Sequence, residues 1–408
     1  MNNYEMMVRF WEAQADPATM TAEKQERIDL AISKSDEIFN THKELWKAAS
    51  STEDDFDYSP EIKVENIEEL TGDEWLESRK EGIGGSEAGA VMGLNKYANQ
   101  HTLALEKLAV KPLPEKTPDA QYTLDYGHVM EPIVLKLYEA KSGNMVFTDR
   151  HQYRHCNHPF MLANCDGFAI TPEGEPILLE LKSFNYNLKD AWIPGIYGKG
   201  GVVKNPEYIC QVRHYLSVLN LNRADIIAQC GNMASDMIVV TVYRDIPFEE
   251  EMIQEEKTFW DRIMNYDIPE NTTFNEHIYE RICAVMYNEA NNEPEEVVTL
   301  SGDDVRESLI TLKEIEQEKA ELKERLKLLE TREKEMRLPI LDQLGKARTG
   351  EYVIDDKKYI VTNKPIVKES VDTDKLRLGY PDIYESIRKT TETAPVFRMK
   401  ERIVKKKK

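Results

Sequence analysis

The stretch Ile177-Leu178-Leu179-Glu180-Leu181-Lys182 constrains this chain most, because a run of strand-forming apolar residues carries a carboxylate and an ammonium two positions apart. Side chains alternate across a β-strand, so Glu180 and Lys182 share one face while Ile177, Leu179 and Leu181 pack on the other. An acid and a lysine fixed side by side suit a divalent cation held by the carboxylate, with the lysine near the water or phosphate that the cation activates. The same pair also suits an edge strand with a solvated ion pair. The surroundings of the strand therefore carry the argument.

Upstream, Pro159 to Ile170 reads as a second strand region in which Asp166 interrupts an apolar run, a poor setting for an unpaired carboxylate. Thr171-Pro172-Glu173-Gly174-Glu175-Pro176 is a turn. Asp166 and Glu180 are expected on strands joined by a hairpin, where two carboxylates can share one cation. The resulting D-x13-E-x-K spacing is more specific than E-x-K alone.

Three further segments could serve such a site. Tyr126 to Glu139 has the pattern of an amphipathic helix, with His128 and Glu131 three apart on neighbouring positions. Pro132 is expected near its start, where the helix dipole would favour a first-turn Glu131. Gly82-Ile83-Gly84-Gly85-Ser86 precedes a small-residue helix and either leaves backbone N–H groups free for an anion or makes a tight turn for close helix packing. It is neither a Walker loop nor a dinucleotide fingerprint. A basic Gly-rich loop with Lys199 and Lys204 leads into the helix Glu207 to Leu219, which sets Tyr208, Gln211 and Tyr215 along one face. Ile226 to Ala228 and Met237 to Val242 read as strands, and Arg244-Asp245 opens a helix through Trp260 and Ile263.

The flanks differ from this middle. Residues 1–50 are expected to be helical, with Ile28, Ile32, Phe39 and Trp46 as the apolar face, followed by an acidic connector from Ser50 to Glu69 that includes Glu53-Asp54-Asp55. Its alternative role is an acidic flap occupying a nucleic-acid groove. Residues 301–345 form a charged helix whose seam is broken by Glu316 and Lys319, so that a coiled coil and an arm packed on its own domain both stay open. Gly345 to Val361 and Pro395 to Val404 suggest a small strand-containing module, and Lys405 to Lys408 a solvated basic tail.

A formal net charge of −21 argues against a generally basic nucleic-acid coat. The acidity sits in the flanks, however: residues 75–245 hold 19 acids against 17 bases, so a local phosphate-gripping groove is compatible with the total. Five cysteines without C-x-x-C spacing fit neither a disulfide framework nor a zinc ribbon. No signal-peptide pattern or membrane-length apolar run is present, and a cytoplasmic protein is expected.

Taken in order, Arg79-Lys80-Glu81-Gly82-Ile83-Gly84-Gly85-Ser86-Glu87-Ala88, Gly127 through Glu131-Pro132, Ala163-Asn164-Cys165-Asp166-Gly167, Leu179-Glu180-Leu181-Lys182 and Gln211 through Leu216 resemble the blocks of YqaJ-type viral recombinase nucleases. These are relatives of the phage lambda exonuclease within the PD-(D/E)XK superfamily. The resemblance spans roughly residues 71–265 and implies an α/β, restriction-endonuclease-like core: a mixed central sheet flanked by helices. Around it are expected a helical extension and acidic linker (1–70), the nuclease domain (71–285), a charged helical arm (286–345) and a small C-terminal module (346–408). A tail such as Val396 to Lys400 is similar to what some phage members carry.

The resemblance implies Asp166, Glu180, Glu131 and the Leu181 carbonyl as ligands of Mg²⁺, with Mn²⁺ as the alternative. Lys182 becomes the catalytic lysine and Gln211 the glutamine of the motif helix, while Arg79, Ser86 and Tyr215 are expected to face DNA. Asn164 departs from the lambda enzyme, which has a serine there. The implied activity is 5′-to-3′ digestion of double-stranded DNA ends, producing single strands for an annealing partner in the bacterial host of a phage or prophage. A homo-oligomer is compatible with this. The competing readings are an endonuclease or single-strand nuclease of the same superfamily, and a non-catalytic DNA-end-binding scaffold.

Overall fold

The chain is described by a computed structural model covering residues 1–52, 56–108, 118–193, 202–231, 233–286, 299–354, 357–363 and 373–387. It divides into two units, Met1–Glu289 and Ala290–Lys408.

The first unit is mixed α/β, as expected. Its helices are α1 (Asn3–Gln14), α2 (Ala22–Ala49), α3 (Gly72–Lys80), α4 (Gly85–Val91), α5 (Gln100–Lys107), α6 (Pro118–Ser142), α7 (Pro206–Leu219), α8 (Ile246–Met264) and α9 (Glu276–Met286). A four-stranded sheet contains β1 (Glu61–Val64), β2 (Ile83–Gly84), β4 (Gln152–Arg154) and β5 (Met161–Asn164), in the order β1-β4-β5-β2. A five-stranded sheet contains β3 (Met145–Thr148), β6 (Gly167–Ile170), β7 (Pro176–Phe184), β10 (Arg223–Cys230) and β11 (Met237–Tyr243), in the order β11-β10-β7-β6-β3. The short strands β8 (Trp192–Ile193) and β9 (Val202–Val203) pair with each other.

β6 and β7 form the expected antiparallel hairpin, with Gly167 opposite Leu179. β7 and β10 run parallel, with Glu180 beside Ile226, and the crossover that parallel pairing requires is α7. The alternation in β7 follows the sequence. Ile177, Leu179 and Leu181 join Val134, Leu135 and Tyr138 of α6 in one apolar cluster, whereas Leu178 belongs to the other core.

Two expectations change. The run from Met161 to Ile170 is one strand in the linear pattern but two in space: β5 belongs to one sheet and β6 to the other, and Cys165-Asp166 is the crossing point. Pro132 lies inside the 25-residue α6, not near its start. It removes the N–H that would bond the carbonyl of His128, and a helix-start dipole therefore does not account for Glu131.

Residues 1–50 are largely helical, as read, in α1 and α2, but belong to the same unit as the core. Trp11 stacks on Phe168 of β6 with centroids 4.6 Å apart, and Asn3 donates from Nδ2 to the carbonyls of Leu219 and Asn220 at 3.0 and 3.2 Å. Ile28 and Phe39 are buried, with Ile32 and Trp46 packed against the core. Part of the connector is also structured, since β1 pairs with β4. Glu53-Asp54-Asp55, Lys199, Pro395–Val404 and Lys405–Lys408 lie outside the described residues.

In the second unit α10 (Asp303–Leu344) has no buried residue, and its seam residues Leu322, Leu326, Leu329 and Met336 are exposed. β12 (Thr349–Ile354) and β13 (Lys357–Thr362) form an antiparallel pair, with Glu351 opposite Ile360.

Candidate active site

The sheet crossing makes the site. Asp166 stands just before β6, and its Oδ2 accepts the backbone N–H of Leu181 at 2.7 Å, which fixes the acid against β7. A strand residue sends its N–H and carbonyl to the same edge. β6 pairing stops at Gly167 and Leu179, so the Leu181 carbonyl shares the edge occupied by Asp166.

Glu180 is buried, at 3% exposure. Its Oε1 accepts from Lys182 Nζ at 2.5 Å and from Gln211 Nε2 at 2.7 Å, while its Oε2 is buried without a hydrogen-bond partner among the described residues. The Lys182 ammonium also lies 5.3 Å from the ring centre of Tyr208, whose ring stacks on Trp192. Gln211 reaches the Tyr215 hydroxyl at 3.3 Å.

Burial, and then the charge of Asp166, push Glu180 up to about 7 against the pull of Lys182. Burial and Asp166 likewise raise Glu131 to about 6. Asp166 is raised by burial, although Lys182 and the Leu181 N–H work the other way. The Asp166 charge thus opposes the ionisation of both Glu131 and Glu180, which is unfavourable unless positive charge joins them.

Arg79, Ser86, Asp166, Glu180, Gln211 and Tyr215 line one cleft of about 330 Å³. Lys182 joins it through Glu180. Glu131 feels the charges of Asp166 and Lys182 from α6 but does not line the cleft. Among the described residues no three His, Cys, Asp or Glu side chains converge into a ready-made metal cage. The donor set nevertheless fits a hard cation: oxygen ligands only, one carboxylate oxygen buried and unpartnered, and mutually repelling acids beside it.

Arg79 donates to Glu87 Oε1 at 2.9 Å and to the Ser86 hydroxyl at 3.3 Å. Glu87 is anchored in turn by Lys107 at 2.6 Å and by the Gly84 N–H at 2.9 Å. That bond uses one of the amides that the anion alternative for the glycine-rich turn would need free. Gly85 fits the close-packing alternative, because a Cβ there would come within 2.4 Å of the Tyr215 ring. Tyr215 itself is 5% exposed, lines the cleft and accepts the Gln211 hydrogen bond on its hydroxyl.

The linear reading missed Trp75 and Gln152, which also line the cleft. Gln152 sits in a three-residue strand, too short to show a period. A larger hollow of about 780 Å³, lined by Trp46, Phe56 and residues of β11, contains none of the expected site residues.

Residues 74–222 match the family model described as YqaJ-like viral recombinase domain. This segment is similar to that family. The chain is also similar to the uncharacterized protein YqaJ of Bacillus subtilis (strain 168), with 29% identity over 341 residues, 81% of this chain and 95% of that protein. The YqaJ-like segment starts in α3 and ends after α7, so it takes in every expected site residue from Arg79 to Tyr215.

Among solved structures, LHK-Exo in complex with dAMP is similar at 20% identity, covering 48% of this chain and 93% of that chain, with a TM-score of 0.37. A structure of LHK-Exo, an alkaline exonuclease from Laribacter hongkongensis, gives 19% identity, 48% and 93% coverage and 0.35. A phage-related exonuclease from Haemophilus somnus 129PT gives 14%, 45% and 96%, and 0.34. No helix among the described residues is long and apolar enough to cross a membrane.

Proposed function

We propose that this protein is a Mg²⁺-dependent phage-type DNA exonuclease that degrades double-stranded DNA ends from 5′ to 3′. Its products would be single strands for an annealing protein, in the cytoplasm of a bacterial host. The observation that carries the reading is the Asp166–Glu180–Lys182 group, whose two acids line one cleft with Arg79 and Ser86.

Asp166, Glu180, the Leu181 carbonyl and Glu131 would hold the cation. When bound, it would supply Lewis-acid polarisation of the scissile phosphate and a more acidic water. The chain's own residues do the remaining work. Gln211 and Lys182 fix Glu180 through Oε1 and leave Oε2 for a ligand. The Lys182 ammonium brings positive charge to the place where phosphate charge builds up. Arg79 and Ser86 offer N–H and O–H donors to a terminal phosphate, which would favour an end over an internal linkage.

The test is digestion of linear duplex DNA labelled at either the 5′ or the 3′ end, in Mg²⁺ or EDTA, with wild type and Lys182→Ala. Early Mg²⁺-dependent release of the 5′ label, lost in the variant, is the expected result. DNA binding by folded protein with no metal-dependent cleavage of linear, circular or single-stranded DNA would overturn the reading.

A further inference from the structure

The 42-residue helix α10 has no buried residue, yet it carries a heptad seam. Leu312, Ile315, Leu322, Leu326, Leu329 and Met336 recur at steps of three, four and seven. The two positions that complete the three-four alternation are Lys319 and Glu333. With Leu312 at heptad position a, Lys319, Leu326 and Glu333 also fall at a, and Ile315, Leu322, Leu329 and Met336 fall at d. Glu316, an interruption in the linear pattern, lies beside the seam at e. The seam runs for about 36 Å of helix and ends before Pro339, which removes a helical N–H. Ile315, Leu322, Leu326, Leu329 and Met336 are each 44–61% exposed. A continuous stripe of large apolar side chains in water marks a surface that another element covers.

The flanking charges select the occupant. In a parallel, in-register pair of helices, a g residue faces the e residue five positions on in the other strand. Glu318 at g then meets Lys323 of the second copy, and Arg325 at g meets Glu330 of the second copy, so both pairs are of opposite sign. The charges inside the seam are matched as well. Lys319 lies beside Glu318 of the second copy, and Glu333 beside Arg332 of the second copy. Arg332 also faces Arg337 of the second copy, a like-charged pair, but within each helix Arg337 donates to Glu333 at 2.5 Å, which offsets that repulsion.

The same two charges argue for two strands running the same way. In a two-stranded coil a long side chain at a reaches the solvated rim, whereas a third strand encloses it. An antiparallel pair centred between Leu326 and Leu329 would set Lys319 against Met336 and Glu333 against Leu322, spoiling apolar layers. The parallel register keeps leucine on leucine and confines charge to the Lys319 and Glu333 layers.

We propose that α10 forms a parallel, in-register, two-stranded coiled coil with a second copy of this chain, so that the protein is a homodimer held by its second unit. The inference does not depend on the nuclease reading, because none of its residues belongs to the cleft.

The experiment is sedimentation equilibrium of the full chain at micromolar concentration, for wild type, Leu322→Glu/Leu329→Glu, Arg325→Glu and Arg325→Glu/Glu330→Arg, with folding followed by circular dichroism. Wild type is expected at twice the 47.2 kDa chain mass, and Leu322→Glu/Leu329→Glu at the monomer mass. Arg325→Glu, which turns two attractive pairs repulsive, should raise the dimer Kd about tenfold, and adding Glu330→Arg should restore it. Ser308→Cys, at d one turn before Leu312, tests direction: under oxidation it should give a disulfide-linked dimer that wild type does not, because only parallel strands bring position 308 to its own copy. A monomeric or trimeric wild type, or a dimer indifferent to Leu322→Glu/Leu329→Glu, overturns the proposal. So does an Arg325→Glu defect that Glu330→Arg leaves unrescued, or a dimeric Ser308→Cys that does not cross-link.

Discussion

Gln211 and Glu180, on a helix and a strand 31 residues apart in the chain, meet in a 2.7 Å hydrogen bond from Nε2 to Oε1. The glutamine neutralises nothing. It holds one carboxylate oxygen so that the other has no protein partner. Gln211→Ala should therefore lower kcat by about 10–100-fold, the range for groups that orient a ligand, with little change in melting temperature. Steady-state kinetics beside a thermal melt would check it, and wild-type kcat would show that Lys182 orients Glu180 unaided.

Because the Asp166 charge raises the proton affinity of Glu131 and Glu180, a cation among the three should stabilise the fold. Mg²⁺ at a hundred times its Kd should add about 2.7 kcal/mol, seen as a higher melting temperature that EDTA reverses. Glu180→Gln should abolish the increment without lowering the metal-free melting temperature. An equal increment in the variant would move the metal elsewhere.

A second pH-sensitive feature lies away from the cleft. His42 Nδ1 bonds the Tyr4 hydroxyl at 2.7 Å, and Glu175 lies 3.6 Å from Nε2. Burial, aided by the charge of Arg244, lowers His42 to about 4. The unfolded chain, near 6.5, takes up the proton first, so this contribution is complete above pH 6.5 and is lost as pH falls toward 4. About 3 kcal/mol is at stake for a shift of this size. Denaturant unfolding at pH 7 and pH 4.5 should show a smaller drop for His42→Gln than for wild type.

Trp11 tests whether the N-terminal helices are part of the core. Its ring is 3% exposed and stacks on Phe168, one strand away from Glu180. Trp11→Ala should cost about 3–5 kcal/mol, read from chemical denaturation. A loss under 1 kcal/mol would mean that the N-terminal helices contribute little to the core, as a helical extension outside the nuclease domain would.

Much of the site was legible because it obeys local rules. Alternation alone puts Glu180 and Lys182 on one face of a strand and the leucines on the other, and the α7 pattern puts Gln211 and Tyr215 one turn apart. The arms were legible as helices for the same reason, since a periodic apolar face shows in the linear chain whatever it packs against.

Tertiary structure alone decided the rest. Nothing in Met161 to Ile170 says that the chain leaves one sheet for another at Asp166, because both strands are equally apolar. Pro132 looked like a helix start, yet α6 runs through it. Lys63 reads as one more charge in an acidic connector, yet its ammonium donates to Gln152, 89 residues away. The sequence by itself determined which residues could carry metal and phosphate chemistry, because residue type and strand or helix period are local properties. Only the fold decided which of them meet, since hydrogen bonds, burial and mutual charge arise between segments that the linear order keeps apart.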